Sequence, residues 1–447
     1  MTTTTTTDLW YTDRSRYKLG TSRCARARYL AYHFGPTGYG ITAKRESLPL
    51  ATGISVHQGL QAFTSHLASF DALPVRVDVR AVIHDVCQAY VDRVEARGYR
   101  GILGGPDTEE TITEQALLIS GLLWALYLKF LPWLHRNYQV LSVESERLHP
   151  LDADKALMLR TDLLAKRRGG SSLAYFECKT TGWESDAWAE QWETDPQLAL
   201  GTLDCQELYG GEVTELFVVG LNKGRRMKER DDPEGRKKQL SPLCYGYRRP
   251  ANPPLGHDDW LPAYEWVNSD GELKRASRAH RRTGIWELEH SDWPTWRAYQ
   301  GANPGLGASE FWMEMLPASV VDRICFILGP MNRQDVQLQS LLRNIEGEED
   351  RWQRRLWALY ESQQHFPWSS PQFQAELDRL IPCSWACRPF GREHQCEFVP
   401  ICHRYQGWDD PLQNGYQPRL PHHDPELQQA ITRGLLPENA EALEDDE

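Results

Sequence analysis

The chain has 447 residues, 40% of them hydrophobic and 25% charged, and a formal net charge of −12. This is globular composition, with length for two or three domains or one elaborated domain. The acidic balance excludes a protein that coats DNA nonspecifically, but not one with a local basic groove, because binding follows charge distribution rather than its sum.

Thr2–Thr7 is a polar low-complexity start, not a secretory signal, and residues 1–20 are expected to be disordered. Ser22–Tyr32 reads as a short amphipathic helix ended by Gly35-Pro36. Thr52–Phe63 opens another helix and carries His57; a lone histidine there is more often structural than a ligand. Asp78–Arg97 and Thr111–Leu134 are apolar at helical spacing and complete a helical region over residues 21–136. Within it, the apolar run Ala116–Leu128 is too short to span a bilayer and reads as buried. Ten cysteines without a signal imply a reducing, cytoplasmic setting.

Strands begin at Tyr138–Glu146, where Glu144 and Glu146 share a face. Leu157–Leu164 and Leu173–Gly182 read as strand, turn, strand about Gly169-Gly170. Glu177 and Lys179 then point one way and Cys178 the other. The hairpin brings Asp162 beside Glu177. Close carboxylates repel unless a cation lies between them. Hard cations such as Mg²⁺ favour oxygen ligands, and an adjacent lysine can hold an attacking water or steady developing negative charge. Ser185–Tyr209 reads as a helix restarted near Asp195-Pro196, and Glu215–Leu221 as a buried strand. These elements define a core over 137–229.

Residues 230–375 read as an insertion and helical region, with Phe311–Asn344 and Glu348–Gln363 helical. Arg225, Arg226, Lys228, Arg248 and Arg249 are candidate DNA contacts, because aromatics interleaved with basic clusters suit stacking of single-stranded bases between phosphate contacts. In the segment 376–405, Cys383, Cys387, Cys396 and Cys402 place four cysteines in twenty residues, which is a metal-site signature. Zinc held by Cys₄ or Cys/His ligands and an iron–sulfur cluster both fit this pattern. Residues 406–447 form a C-terminal tail with an acidic end.

The order of these motifs resembles the PD-(D/E)XK nuclease superfamily, in its RecB-like, AddB-like and CRISPR-associated branch. The Gly-x-x-Val-His-x-x-Leu run places His57 where that branch has a histidine metal ligand. Gln197 matches the family's Gln-x-x-x-Tyr pattern, but Gly201 stands where the tyrosine would be. The resemblance implies an α/β fold: a restriction-endonuclease-like mixed-sheet core with helical insertions and a C-terminal iron–sulfur clasp. It implies Mg²⁺ or Mn²⁺ held by His57, Asp162, Glu177 and the main-chain carbonyl of Cys178. Lys179 and Gln197 would assist the chemistry, and the substrate would be single-stranded or end-containing DNA. It also implies a 4Fe-4S cluster on Cys24, Cys387, Cys396 and Cys402, with Cys383 spare. The alternative is a zinc-stapled nucleic-acid-binding or assembly protein with an inactive nuclease core.

Overall fold

The computed structural model describes residues 9–35, 39–44, 46–68, 78–97, 99–100, 109–181, 186–210, 213–223, 230–231, 237–238, 247–248, 261–262, 265–267, 273–275, 321, 324–331, 335–384, 396–421, 423–432 and 436. The architecture is mixed α/β, with helices packed on a six-stranded sheet of parallel and antiparallel pairs.

The first strand, β1 (Trp10–Asp13), falls in the segment expected to be disordered. It lies parallel to Lys155–Met158. Its order has a distant cause: Trp10 Nε1 and Thr12 Oγ1 donate to Glu349, a carboxylate with no exposed surface, at 3.0 and 2.8 Å. Beyond a short helix (Arg14–Lys18) and a π-helical turn (Leu19–Arg23), α1 (Ala25–Tyr32) is not amphipathic as expected, since Arg26 to Ala31 are all buried. Arg28 reaches Glu349 at 2.6 Å, and Arg26 reaches Asp378 at 2.7 Å and the Ile381 carbonyl at 2.8 Å. Arginines paired with carboxylates are tolerated in a core that would reject lone ones, although the buried Nε of Arg28 has no hydrogen-bond partner.

Three helices form the expected layer: α2 (Leu48–Ala68), α3 (Val79–Arg97) and α4 (Glu109–Ala125). A π-helical turn (Leu126–Phe130) and a short helix (Leu131–Asn137) lead from α4 into the sheet. Leu118–Asn137 is long and apolar enough to cross a bilayer by length and composition, and 67% of its apolar window is buried inside the fold.

The sheet continues with β2 (Tyr138–Pro150), β3 (Lys155–Arg167) and β4 (Leu173–Thr181). Then come α5 (Pro196–Tyr209), β5 (Val213–Asn222) and β6 (Cys325–Met331). The strand order is β1-β3-β4-β5-β6, with β2 on the other side of β3. β4 and β5 are parallel, so α5 is the crossover that a parallel pair requires. The strand β6 corrects the expectation of helix across Phe311–Asn344. Cys325 and Phe326 are buried where β6 runs antiparallel along β5, so sheet pairing overrides helical spacing.

Helices α6 (Asp335–Gln363) and α7 (Pro371–Leu380) pack with α1 around a second apolar core containing Tyr29, Trp352, Leu356 and Phe373. The expected tail is also structured. Tyr416–Pro418 pairs with Ile41–Ala43, and α8 (Asp424–Thr432) follows. The acidic end, residues 437–447, lies outside the described residues.

Pairing along β3 prepares the site. β2 occupies one edge from Ala156 to Arg167. On the other edge, β1 pairs with Lys155–Met158 and β4 with Leu163–Lys166. Leu159–Asp162 fall in the gap between them. Leu157 and Leu159 pack in the core beneath α5, whereas Leu163 and Ala165 pack beneath α2–α4. Strict alternation would keep all four on one side, so β3 changes side within this gap.

Candidate metal centre

Asp162 stands at the end of that gap. Leu163 pairs with Phe176, so the next position sets Asp162 against Glu177. Val143 pairs with Leu163 and Ser145 with Thr161, so Glu144 stands opposite Asp162. Three carboxylates therefore occupy one line across β2, β3 and β4. Beyond this line β3 and β4 part, and Cys178 N–H donates to Asp162 Oδ2 at 2.6 Å.

His57 comes to this line from α2. Its Nδ1 lies 2.9 Å from Glu144 Oε1 and 3.7 Å from Asp162 Oδ1. Ligand atoms of His57, Glu144 and Asp162 all lie within 4.8 Å of one another. Among the described residues, no other histidine, cysteine or acidic group gathers so closely. Glu144 has a backbone φ of +45°, a conformation costing a non-glycine residue about 1–2 kcal/mol. Such strain concentrates where surrounding structure fixes a functional side chain. Arg160 holds the other Glu144 oxygen, donating from Nε and Nη2 at 3.1 Å each.

The protonation states follow from crowding in a dry place. Burial and then Glu177 push the Asp162 carboxyl up to about 7, against the opposing pull of His57. Burial would lower His57, but Asp162 and Glu144 outweigh it and raise the imidazole to about 9. Burial raises Glu144, yet His57 and Arg160 bring it below the ordinary carboxylate range. Imidazolium and a shared proton thus offset negative charge that a divalent cation could neutralise instead.

Glu177 is fully buried. Lys179 Nζ lies 2.8 Å from its Oε1, as their shared face requires, and the Tyr175 hydroxyl donates to its Oε2. Gln197 sits in the first turn of α5, whose N-cap is Asp195. Gln197 lines a small cavity with Arg160, Arg14 and His423, and its buried Oε1 has no hydrogen-bond partner. The structure therefore brings together His57, Asp162, Cys178, Glu177 and Lys179, with Gln197 beside Arg160. Sequence reasoning left Glu144 and Glu146 unresolved: Glu144 joins His57, while Glu146 accepts from His423 at 3.0 Å. It missed Arg160 and Tyr175, each two residues before a carboxylate already singled out.

The cysteines converge as well. Ser384 N–H donates to Cys24 Sγ at 3.5 Å, which sets the residue after Cys383 against Cys24. Cys383 and Cys402 share a hydrogen bond that pulls Cys383 down to about 6, toward the thiolate a metal ligand must be. Cys24, Cys396 and Cys402 border one apolar core, and none of the four is in a disulfide. Cys387 lies outside the described residues, as do Arg225, Arg226, Lys228 and Arg249. Arg248 belongs to a two-residue strand paired with Leu261–Pro262.

Neither a scan against protein-family models nor a search of curated proteins finds a match for this chain.

Proposed function

We propose that the protein is a metal-dependent phosphodiester hydrolase. More particularly, it is a DNA nuclease of the PD-(D/E)XK type, acting on single-stranded or end-containing DNA. The observation that carries this reading is the group His57, Glu144 and Asp162, whose ligand atoms lie within 4.8 Å of one another, with Glu177 and its partner Lys179 next along the sheet. Oxygen and imidazole ligands at this spacing suit Mg²⁺ or Mn²⁺. Such an ion polarises a phosphoryl oxygen and lowers the pKa of water.

His57, Glu144 and Asp162 are the ligands at hand, with Glu177 the next carboxylate along the line. The Cys178 amide fixes Asp162, and Arg160 fixes Glu144. Lys179 carries a positive charge to the reacting phosphate, where it orients water or steadies the anion formed in the transition state. DNA is the favoured substrate through the resemblance of the motif order. Arg225, Arg226, Lys228, Arg248 and Arg249 remain the proposed strand contacts.

A 4Fe-4S cluster fits the converging cysteines. Cys24, Cys396 and Cys402 are three ligands, and the contact of Cys383 with Cys402 favours Cys383 over Cys387 as the fourth. The cluster would join the two ends of the chain and serve stability rather than hydrolysis. Zinc on the same thiolates is the second reading, since thiolate ligands also suit zinc.

The test separates ligand from catalyst. Asp162→Ala and Lys179→Ala are each expected to abolish cleavage of labelled single-stranded DNA. Only Asp162→Ala should also lose Mn²⁺ binding. Wild-type cleavage by either variant would refute the role assigned to that residue.

A further inference from the structure

We infer that Tyr175 is a positioning residue for the metal centre, and that position 201 is glycine in order to admit its ring. The inference rests on the metal-site reading above and adds a part that this reading does not contain.

Tyr175 lies on β4 two residues before Glu177, so both side chains leave the strand on one side. Neither has any exposed surface. Glu177 is held from two directions, by the Tyr175 hydroxyl at Oε2 and by Lys179 at Oε1. The hydroxyl occupies Oε2, so a cation would meet Glu177 at Oε1, on the side where Lys179 now stands.

The ring is fixed as firmly as its hydroxyl. A Cβ on Gly201 would stand 2.3 Å from Tyr175 Cε1 and 2.4 Å from Cζ. No side chain can occupy position 201 without moving the ring or the helix. Leu198 and Cys205 of α5 belong to the same buried cluster as the ring. Helix α5 is itself held at its N-cap, where Arg14 and Lys18 reach Asp195 at 3.2 and 3.1 Å. A rigid path therefore runs from the start of α5 through the Tyr175 ring to one oxygen of Glu177. Losing such an outer contact typically costs ten- to a hundredfold in metal affinity.

Mn²⁺ titration calorimetry on the full chain tests this, comparing wild type, Tyr175→Phe, Gly201→Ala and Asp162→Ala. Phenylalanine keeps the ring and its packing. Tyr175→Phe should therefore melt close to wild type yet bind Mn²⁺ roughly ten- to a hundredfold more weakly. Gly201→Ala keeps the tyrosine but displaces its ring, and the hydroxyl with it, and should weaken Mn²⁺ over the same range. A purely structural tyrosine would lower the melting temperature and leave Mn²⁺ affinity alone. Unchanged affinity in either Tyr175→Phe or Gly201→Ala overturns the inference and leaves the metal centre standing. Wild-type protein with no Mn²⁺ binding that Asp162→Ala removes would instead overturn the metal-site reading on which the inference rests.

Discussion

In the proposed metal centre, a divalent cation would have to displace a proton from Asp162 and another from His57. With Asp162 raised to about 7 and His57 to about 9, both are largely protonated at pH 6. Metal affinity should therefore climb as pH rises from about 6 to 9, with protons released on binding. Calorimetry in buffers of different ionisation enthalpy would count those protons, and a pH-independent affinity without proton release would argue against His57 and Asp162 as ligands. His57→Ala should raise the metal concentration needed at every pH, and should lower the melting temperature near pH 6 but not by about pH 9.5, where the raised imidazole has lost its proton; a histidine used only for packing would lower it at both pH values and leave the metal requirement unchanged. Asp162, Glu177 and Lys179 were legible because strand alternation and a Gly-Gly turn fix their relations. The choice of Glu144 over Glu146 was not, because it depends on a φ of +45° that no residue pattern announces. Tyr175 was legible in principle, since alternation sets it beside Glu177, but only its fit against Gly201 gives it meaning.

Among the elements, those formed by local pattern were read well and those formed by distant partners were not. Helices α3 and α4, the β3–β4 hairpin and the restart at Asp195 follow from spacing and capping. The strands β1 and β6 do not, for one is ordered by Glu349 and the other by the edge of β5. Helix α8 belongs with these. Just before it, His423 donates to Glu146 and lies 3.5 Å from Asp13, while Glu426 within it pairs with Arg16. Burial would lower His423, but Asp13 and Glu146 raise it to about 9. A histidine raised above its unfolded value of about 6.5 stabilises the fold fully below that pH and loses the contribution as pH passes about 9. His423→Gln should thus destabilise by about 3 kcal/mol near pH 6, with the gap closing by about pH 9.5. Urea melts at both pH values would show it, and a gap that widened with pH would contradict the arrangement.

At the scale of the whole molecule, the two ends of the chain meet at the cysteines. In the proposed clasp, joining Cys24 to Cys402 would close a loop of most of the chain, worth about 6 kcal/mol by loop entropy. Metal–thiolate bonding adds to that, so loss of the cluster should loosen the packing of α1 against α6 and α7. Cys24→Ser, Cys383→Ser, Cys396→Ser and Cys402→Ser should each give colourless, less stable protein when purified without oxygen. Cys387→Ser should stay brown. Iron and zinc analysis of these proteins decides the matter. Zinc at one equivalent with no iron, or full metal content in Cys24→Ser, would remove the iron–sulfur clasp and leave the metal centre untouched. The cysteine spacing suggested a metal site with Cys387 as its ligand; Cys387 lies outside the described residues, and the preference for Cys383 belongs to the proposal and rests on its contact with Cys402.

The most direct measurement is digestion of end-labelled single-stranded DNA with Mn²⁺, by wild type and Asp162→Asn, before and after chelation. The arrangement of Glu144, Asp162, Glu177, His57 and Lys179 predicts cleavage by wild type alone, abolished by the chelator and restored by added Mn²⁺. Cleavage by Asp162→Asn at the wild-type rate, or none by wild type with Mg²⁺ or Mn²⁺ between about pH 6 and 9, the range in which both protons leave, would contradict it.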